Sequence, residues 1–251
     1  MQHHKEYGLI GNPLAHSFSE KYFNQKFKRE GIDAEYINFE LPDIGDLMEL
    51  LSESPALMGF NVTAPFKQQI IPYLDELSGE ATLTGAVNVV KIERDDNGDI
   101  VKLIGHNTDY GAFKHTMTEL IGCSQPQALI LGTGGAAKAV TASFNDLGIN
   151  FVNVSRNPTE GQIGYHNLDK DILDTHFIVV NATPVGTYPN IDTSPAIPYN
   201  LLSGAHLCYD LVYNPSVTAF MRQCAAQGAT VKNGLEMLLL QAQYSWDIWN
   251  A

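Results

Sequence analysis

The stretch ALILGTGGAAKAV, residues 128–140, indicates the fold of the C-terminal half of the chain. An apolar run typical of a buried strand leads into a glycine-rich turn, and an alanine-rich segment that favours a helix follows. Gly132, Gly134 and Ala137 match the dinucleotide-binding pattern G-x-G-x-x-G/A, whose second glycine lets a pyrophosphate approach the backbone. The alternative is a strand-to-helix turn without a ligand. Because the strand, turn and helix follow in the required order, we predict a Rossmann-type domain.

The residues after the next strand indicate which dinucleotide binds. An NAD-binding domain carries an acidic residue about 20 positions after the glycines, where it contacts the ribose. Here the sequence reads VNVSRN, so that Ser155 and Arg156 stand at this place without an acid. An arginine suits the 2′-phosphate of NADP, although it could also be a solvated surface residue. We therefore predict NADP as the cofactor.

Strand and helix patterns alternate along the rest of the chain. The predicted strands are EYGLIG, AEYINFEL, ALMGFNVT, INFVNVS, HFIVVNATPVG and HLCYDLVY, and AVNVVKIERDDNGDIVKLIG is a hairpin. The predicted helices are residues 17–30, DIGDLMELLSES, PFKQQIIPYLDEL, TDYGAFKHTMTELIG, GAAKAVTASFNDLG and NGLEMLLLQAQYSWDIWN. Only RNPTEGQ separates the strand ending near Ser155 from a weak strand, IGYHNL. Parallel strands need a longer crossover, so we predict that this domain lacks one crossover helix.

This order of elements predicts an α/β protein with two domains. We expect residues 1–108, completed by the C-terminal helix at 233–251, to form an N-terminal α/β substrate-binding catalytic domain. We expect residues 109–232 to form the dinucleotide-binding domain, with CSQPQ at 123–127 as a hinge.

Composition excludes several classes of partner. The 251 residues are 44% apolar and carry a formal charge of −13, which argues against binding nucleic acid or an anionic membrane. Cys123, Cys208 and Cys224 form no C-x-x-C pair, and the histidines form no H-E-x-x-H pattern, so we expect no metal site. The N-terminus lacks a signal-peptide pattern, and we expect a soluble, cytoplasmic protein that acts on a small molecule. The oligomeric state cannot be inferred from these patterns.

Several polar residues stand where chemistry could occur. Lys67 follows Pro65 at a predicted helix start, where a cation is disfavoured; it is either a surface residue or a proton-transfer group. Ser17 and Ser19 could cap a helix or bind a carboxylate together. Asp109 lies in the first turn of its helix, where the helix dipole alone would explain it. Gln241 lies in an apolar helical stripe, either partly exposed or aimed into a cleft.

Eight segments taken together resemble the ordered motifs of the shikimate dehydrogenase family. They are GNPLAHSFS, NVTAPFK, GAVN, GHNTDYGAF, GTGGAAKAV, NATPVG, YDLVYNP and NGLEMLLLQA, and they cover nearly the whole chain. Each motif alone is weak, whereas eight in the same order are highly specific. The resemblance implies an oxidoreductase of aromatic amino acid biosynthesis that reduces 3-dehydroshikimate to shikimate with NADPH.

The resemblance also implies roles for individual residues. Lys67 and Asp109 match the catalytic pair, and Ser17 and Ser19 match the serines that bind the substrate carboxylate. The remaining substrate-binding positions fall on Thr63, Asn88, Asn107, Tyr213 and Gln241. Positions that bind the cofactor fall on Gly132, Gly134, Gly135 and Ala136 at the phosphates, Ser155 and Arg156 at the 2′-phosphate, and Leu211 and Gly234 near the nicotinamide.

The chain departs from the family pattern at a few places. The family usually has Pro at Glu20, Thr at Val89 and often Gly at Glu236. It also often has a second basic residue soon after Arg156, whereas here the next lysine or arginine is Lys170. The alternatives that remain are an NAD-linked quinate/shikimate dehydrogenase, a methylene-tetrahydrofolate dehydrogenase and a non-catalytic NADP-binding regulator.

Overall fold

A computed structural model describes residues 4–14, 17–122 and 126–251. Cys123 and the start of the predicted hinge, like His16 of the PLAHSFS segment, lie outside these ranges. The chain divides into two compact units, Met1–Thr108 with Ala242–Ala251, and Asp109–Gln241. Within the described ranges, no helix is both long enough and apolar enough to cross a bilayer.

The first unit is built on a six-stranded mixed sheet. Its strands are β1 (Lys5–Gly11), β2 (Ala34–Glu40), β3 (Leu57–Val62), β4 (Glu76–Leu77), β5 (Val89–Arg94) and β6 (Ile100–His106). They lie in the order β2-β1-β3-β5-β6-β4, and β5 runs antiparallel to both β3 and β6. Helices α1 (Phe18–Glu30), α2 (Leu47–Glu53) and α3 (Gly79–Thr84) connect them, together with short 3-10 turns. The predicted strands and the hairpin are thus found, while α3 and β4 were not predicted.

The segment PFKQQIIPYLDEL is not the helix that its apolar spacing predicts. Residues 64–70 form successive turns, Ile71–Tyr73 is a 3-10 helix, and Glu76–Leu77 is strand β4. The carbonyl of Lys67 accepts a hydrogen bond from the Val87 N–H at 2.7 Å, a partner that a helix would replace with residue 71. The prediction of a helix here was wrong because a long-range backbone bond outweighs the local pattern.

The second unit is built on a six-stranded parallel sheet. Its strands are β7 (Ala128–Leu131), β8 (Phe151–Ser155), β9 (Gln162–Gly164), β10 (Ile178–Asn181), β11 (Leu207–Asp210) and β12 (Thr230–Lys232), in the order β12-β11-β10-β7-β8-β9. The helices of the rest of the described chain are α4 (Thr108–Ile121), α5 (Gly135–Asp146), α6 (Lys170–Leu173), α7 (Ala219–Ala226) and α8 (Leu235–Asn250). Both sheets and their helices confirm the predicted α/β class.

The predicted loss of one crossover helix is confirmed. Strands β8 and β9 pair in parallel, from Asn153 with Gln162 to Ser155 with Gly164. The chain between them, residues 156–161, contains bends and turns and no helix. Helices α6 and α7 and strand β12 were not predicted from the sequence.

Helix α8 belongs to both units, with the division after Gln241. Its last turns pack on the aromatic face of the first sheet: Trp249 stacks on Tyr7 at 4.9 Å between ring centroids and donates its indole N–H to the Val90 carbonyl at 3.0 Å. A Cβ on Gly59 would lie 2.4 Å from the Trp249 ring, so glycine is needed there. The predicted functional boundaries, with residues 233–251 completing the substrate-binding domain, stay a prediction.

Candidate active site

Three predicted substrate-binding residues lie at one edge of the first sheet, where β1, β3 and β6 end and β5 begins. The N–H of Thr63 binds the Ile10 carbonyl at 2.9 Å, and the N–H of Asn88 binds the His106 carbonyl at 3.0 Å. Asn107 is the next residue after His106. The antiparallel register of β5 and β6 therefore brings Asn88 and Asn107 to the same end of the hairpin.

Both asparagines are buried and held in fixed orientations, with 3% and 4% of their surfaces exposed. Asn88 donates from Nδ2 to the Thr108 hydroxyl at 2.9 Å, and its Oδ1 accepts from the Thr108 N–H at 2.8 Å. Asn107 donates from Nδ2 to the Ala86 carbonyl at 2.8 Å and to the Thr84 hydroxyl at 3.0 Å. These bonds fix both side chains before any ligand binds.

Lys67 is half-buried and lies in the turn that leads away from β3. Its carbonyl bond to Val87, the second residue before β5, ties this turn to the same edge of the sheet. Since Lys67 is not at a helix N-terminus, no helix dipole disfavours its charge. Through this backbone bond, Lys67 lies beside the segment that carries Asn88.

Ser17 precedes α1 and does not cap it through its side chain. Its Oγ is buried and finds no hydrogen-bond partner among the residues that the structure describes. An unsatisfied buried hydroxyl is uncommon and calls for an explanation. The capping alternative fails for Ser17, whereas a ligand that accepts a hydrogen bond would satisfy it.

Ser19 contacts a buried polar chain that the sequence did not reveal. Burial raises the pKa of Tyr36 well above its ordinary value, and a hydrogen bond from Ser19 partly offsets the effect. Tyr36 donates its hydroxyl to Oδ1 of Asn61 at 2.8 Å. Asn61 in turn donates to the Ser245 hydroxyl at 2.9 Å and to the Asn88 carbonyl at 3.2 Å. The one sequence signal was an asparagine inside the apolar run of β3.

The glycine turn of the second unit fits a phosphate group. Gly132 has φ +111°, and a Cβ there would lie 2.9 Å from Cγ2 of Thr183, so only glycine is accommodated. Gly134 precedes α5 without a side-chain cap, and a Cβ there would meet only open space. Gly135 and Ala136 begin the helix, whose first N–H groups can therefore bind an anion.

Arg156 is the first residue after β8, and its side chain is exposed. Within the described ranges it forms no hydrogen bond or ion pair. Burial raises the pKa of Tyr165, and the positive charge of Arg156 partly offsets this rise. Ser155 accepts the N–H of Asn157 at 3.2 Å through its hydroxyl. Lys170, by contrast, pairs with Asp174 one helical turn later.

The loop after β11 carries two further predicted residues. Leu211 donates its N–H to the Asn181 carbonyl at 3.0 Å, and Gly234 donates to the Val212 carbonyl at 3.2 Å. A Cβ on Gly234 would lie 2.1 Å from the Leu211 carbonyl oxygen, so these two backbones touch. Tyr213 follows, half-buried, and burial raises its pKa.

The remaining predicted residues are Asp109 and Gln241. Asp109 is buried in the first turn of α4, directly after the Thr108 that Asn88 binds, and belongs to the second unit, whereas Lys67 belongs to the first. Gln241 is half-buried in α8 and donates to the Leu238 carbonyl at 3.0 Å. Among the described residues, no cluster of three His, Cys, Asp or Glu side chains could hold a metal ion.

Comparison with known proteins identifies relatives of this chain. Residues 9–90 match the family model described as shikimate dehydrogenase substrate binding domain. An NADP(+) shikimate dehydrogenase from Caldicellulosiruptor saccharolyticus is 34% identical over 98% of this chain and 92% of its own. One from Methanococcus maripaludis is 38% identical over 96% of this chain and 90% of its own.

A solved structure shows the same architecture. The shikimate 5-dehydrogenase of Thermus thermophilus, in complex with NADP(H) and shikimate, superposes with a TM-score of 0.82 at 29% identity. The match covers 98% of this chain and 93% of that one. Identity above 30% to the curated relatives over nearly the full length of both chains leaves one conclusion: this chain belongs to the shikimate dehydrogenase family.

Proposed function

We propose that this protein reduces 3-dehydroshikimate to shikimate with NADPH. The observation that carries the proposal is that Thr63, Lys67, Asn88 and Asn107, which the family motifs single out, come together at one edge of the first sheet. Polar side chains fixed at the carboxyl ends of strands are a common setting for ligand binding in α/β folds. We also infer that it works in the cytoplasm on this small molecule, without a nucleic acid partner.

The cofactor, when bound, supplies the hydride that reduces the ring ketone. Gly132, Gly134, Gly135 and Ala136 would hold its phosphates, because their turn leaves the N–H groups of α5 uncapped. The guanidinium of Arg156 would hold the 2′-phosphate, with the Ser155 hydroxyl beside it. Leu211 and Gly234 would support the nicotinamide, since their touching backbones make a close-packed surface.

Substrate binding falls to hydroxyl and amide groups. The unsatisfied Ser17 hydroxyl would donate to the substrate carboxylate, and Ser19 would be a second donor. Ring hydroxyls would bind to the polar side chains at the remaining positions, Thr63, Asn88, Asn107, Tyr213 and Gln241. Because Asn88 and Asn107 are already oriented, binding orders few new side chains.

Two residues would carry the proton chemistry. Reduction of the ketone generates an alkoxide, which needs a proton or a positive charge nearby. The Lys67 ammonium can give both, as a donor and as a point charge. The Asp109 carboxylate would accept a hydrogen bond from the hydroxyl that forms when the alkoxide is protonated, and so hold it in place.

Product analysis tests the proposal. The purified protein is mixed with 3-dehydroshikimate and NADPH, and the product is identified by NMR; shikimate is expected. Binding of NADPH without turnover would support a non-catalytic regulator instead. Turnover of quinate with NAD at a rate equal to that of shikimate with NADP would support the NAD-linked alternative.

A further inference from the structure

One buried carboxylate has no part in the roles assigned above. Asp210 ends β11 with 0% of its surface exposed, and no cation among the described residues pairs with it. Burial raises its pKa to about 6, so it still carries a charge at neutral pH. A buried charge is unfavourable unless hydrogen bonds stabilise it, and the bonds of Asp210 show what it holds.

The Asp210 carboxylate binds both ends of the loop that follows it. Oδ1 accepts the Val212 N–H at 3.0 Å, at the start of the loop. Oδ2 accepts the Thr218 hydroxyl at 2.6 Å, at its end, and Thr218 itself caps α7 by accepting the Met221 N–H at 3.1 Å. One side chain therefore closes residues 211–217 into a fixed loop.

A third bond connects this loop to the glycine turn. Asn181 donates from Nδ2 to Oδ1 of Asp210 at 2.9 Å, and its carbonyl accepts the Leu211 N–H. The Oδ1 of Asn181 accepts the Thr183 hydroxyl at 2.6 Å, and Thr183 lies against Gly132. Three donors converge on Asp210, and an ionised carboxylate accepts all of them without offering a competing donor.

We propose that Asp210 is a positioning residue, whose carboxylate fixes the backbone of residues 211–213 where the nicotinamide end of the cofactor binds. This inference rests on the proposed function, which assigns Leu211 and Gly234 to that end. Loosening the loop would leave the glycine turn able to bind the phosphates, because the Gly132 N–H holds this turn independently through the Val154 carbonyl at 2.9 Å. Arg156, which lies after β8, would still bind the adenosine end. The two halves of the cofactor should therefore respond differently to loss of the carboxylate.

The test compares two ligands in Asp210→Ala and Asp210→Asn. The ligands are NADPH and 2′,5′-ADP, a probe that lacks the nicotinamide, and calorimetry gives the Kd of each. Asp210→Ala should weaken NADPH about tenfold or more, as loss of charge-assisted bonds predicts, and change 2′,5′-ADP less than about twofold. Asp210→Asn should fall between, because an amide keeps part of the hydrogen bonding.

Hydrogen exchange of the ligand-free protein supplies a second readout. Amides of residues 211–217 should exchange about tenfold faster in Asp210→Ala. The control is Asp169→Asn, which alters another aspartate of the same unit that accepts a backbone N–H, that of Ile172 at 3.0 Å. This control should change neither the exchange of residues 211–217 nor either Kd.

Several outcomes would overturn the proposal. Unchanged exchange and unchanged NADPH affinity in a folded Asp210→Ala would show that the carboxylate positions nothing. Equal weakening of both ligands would show a role in the stability of the fold alone. If the alanine variant does not fold, Asp210→Asn and Thr218→Val, which removes the hydroxyl that donates to Oδ2, decide by the same criteria. An unmodified protein that binds neither ligand overturns the proposed function, and the nicotinamide role of Asp210 with it.

Discussion

Replacing Arg156 with alanine removes an exposed guanidinium that no other described residue binds, so the fold loses no hydrogen bond or ion pair. The free energy of unfolding should change by less than about 0.5 kcal/mol, as for other surface substitutions. The loss should appear in cofactor binding. A hydrogen bond to a charged group contributes roughly 1.5–3 kcal/mol, or about 10- to 150-fold in affinity. Because Lys170 is engaged with Asp174, a single cation carries the contact, and we expect the lower part of that range.

Initial rates with NADP and NAD at saturating shikimate measure the effect. Arg156→Ala should raise KM for NADP by roughly 10- to 30-fold and leave kcat/KM for NAD nearly unchanged. Rising salt should weaken NADP binding by the unmodified protein more than NAD binding, and the variant should lose this difference.

Lys170→Ala is the matched control for Arg156→Ala. It removes the same positive charge, here from a surface ion pair with Asp174. Such a pair contributes little to the free energy of unfolding. The NADP preference should survive this change. An equal loss of preference in both variants would show a general charge effect, and an unaltered KM for NADP in Arg156→Ala would refute the 2′-phosphate assignment.

Three further predictions concern the substrate site and a buried acid. Ser17→Ala should raise KM for shikimate about tenfold with little change in Tm, because its hydroxyl has no described partner; a lower Tm with unchanged KM would contradict this. Lys67→Ala should lower kcat by on the order of 10²-fold while the protein stays folded, and a near-normal kcat would exclude the proton-transfer role. Asp210 has a pKa of about 6 in the fold, above its unfolded value, so its contribution to stability is lost as pH rises through 6. Between pH ~5 and ~7.5, the free energy of unfolding measured in urea should fall by about 1 kcal/mol more for the unmodified protein than for Asp210→Asn. If the two proteins show parallel dependences on pH, the raised pKa of Asp210 is contradicted. The nearby Tyr199 and Cys224 do not titrate in this window: burial raises the pKa of Tyr199, and a hydrogen bond with Cys208, together with burial, raises that of Cys224.

Local sequence patterns predicted most of the fold. The strand, turn and helix at residues 128–140 are found because their hydrophobic period and their glycines agree with one another. The missing crossover helix followed from the length of the chain between β8 and β9. The helix expected after Pro65 did not form, because the Lys67 carbonyl bonds to Val87, a partner that local spacing does not reveal.

The candidate site could be predicted only in part. Sequence motifs pointed to Ser17 and Lys67, but nothing in the sequence showed that the Ser17 hydroxyl would be buried without a described partner. The hydrogen-bonded series from Tyr36 through Asn61 to Ser245 includes a bond between Asn61 and Ser245, which are 184 positions apart, so no local window contains it. The contacts of Asp210 likewise depend on the pairing of β10 with β11.

We conclude that this protein is an NADP-dependent oxidoreductase that acts on shikimate. Following nicotinamide absorbance with purified protein, shikimate and each cofactor in turn tests it most directly. We predict that shikimate is oxidised with both cofactors, with a kcat/KM about tenfold higher for NADP than for NAD, as one charge-assisted contact allows. No absorbance change with either cofactor, or equal or better use of NAD, would contradict the claim.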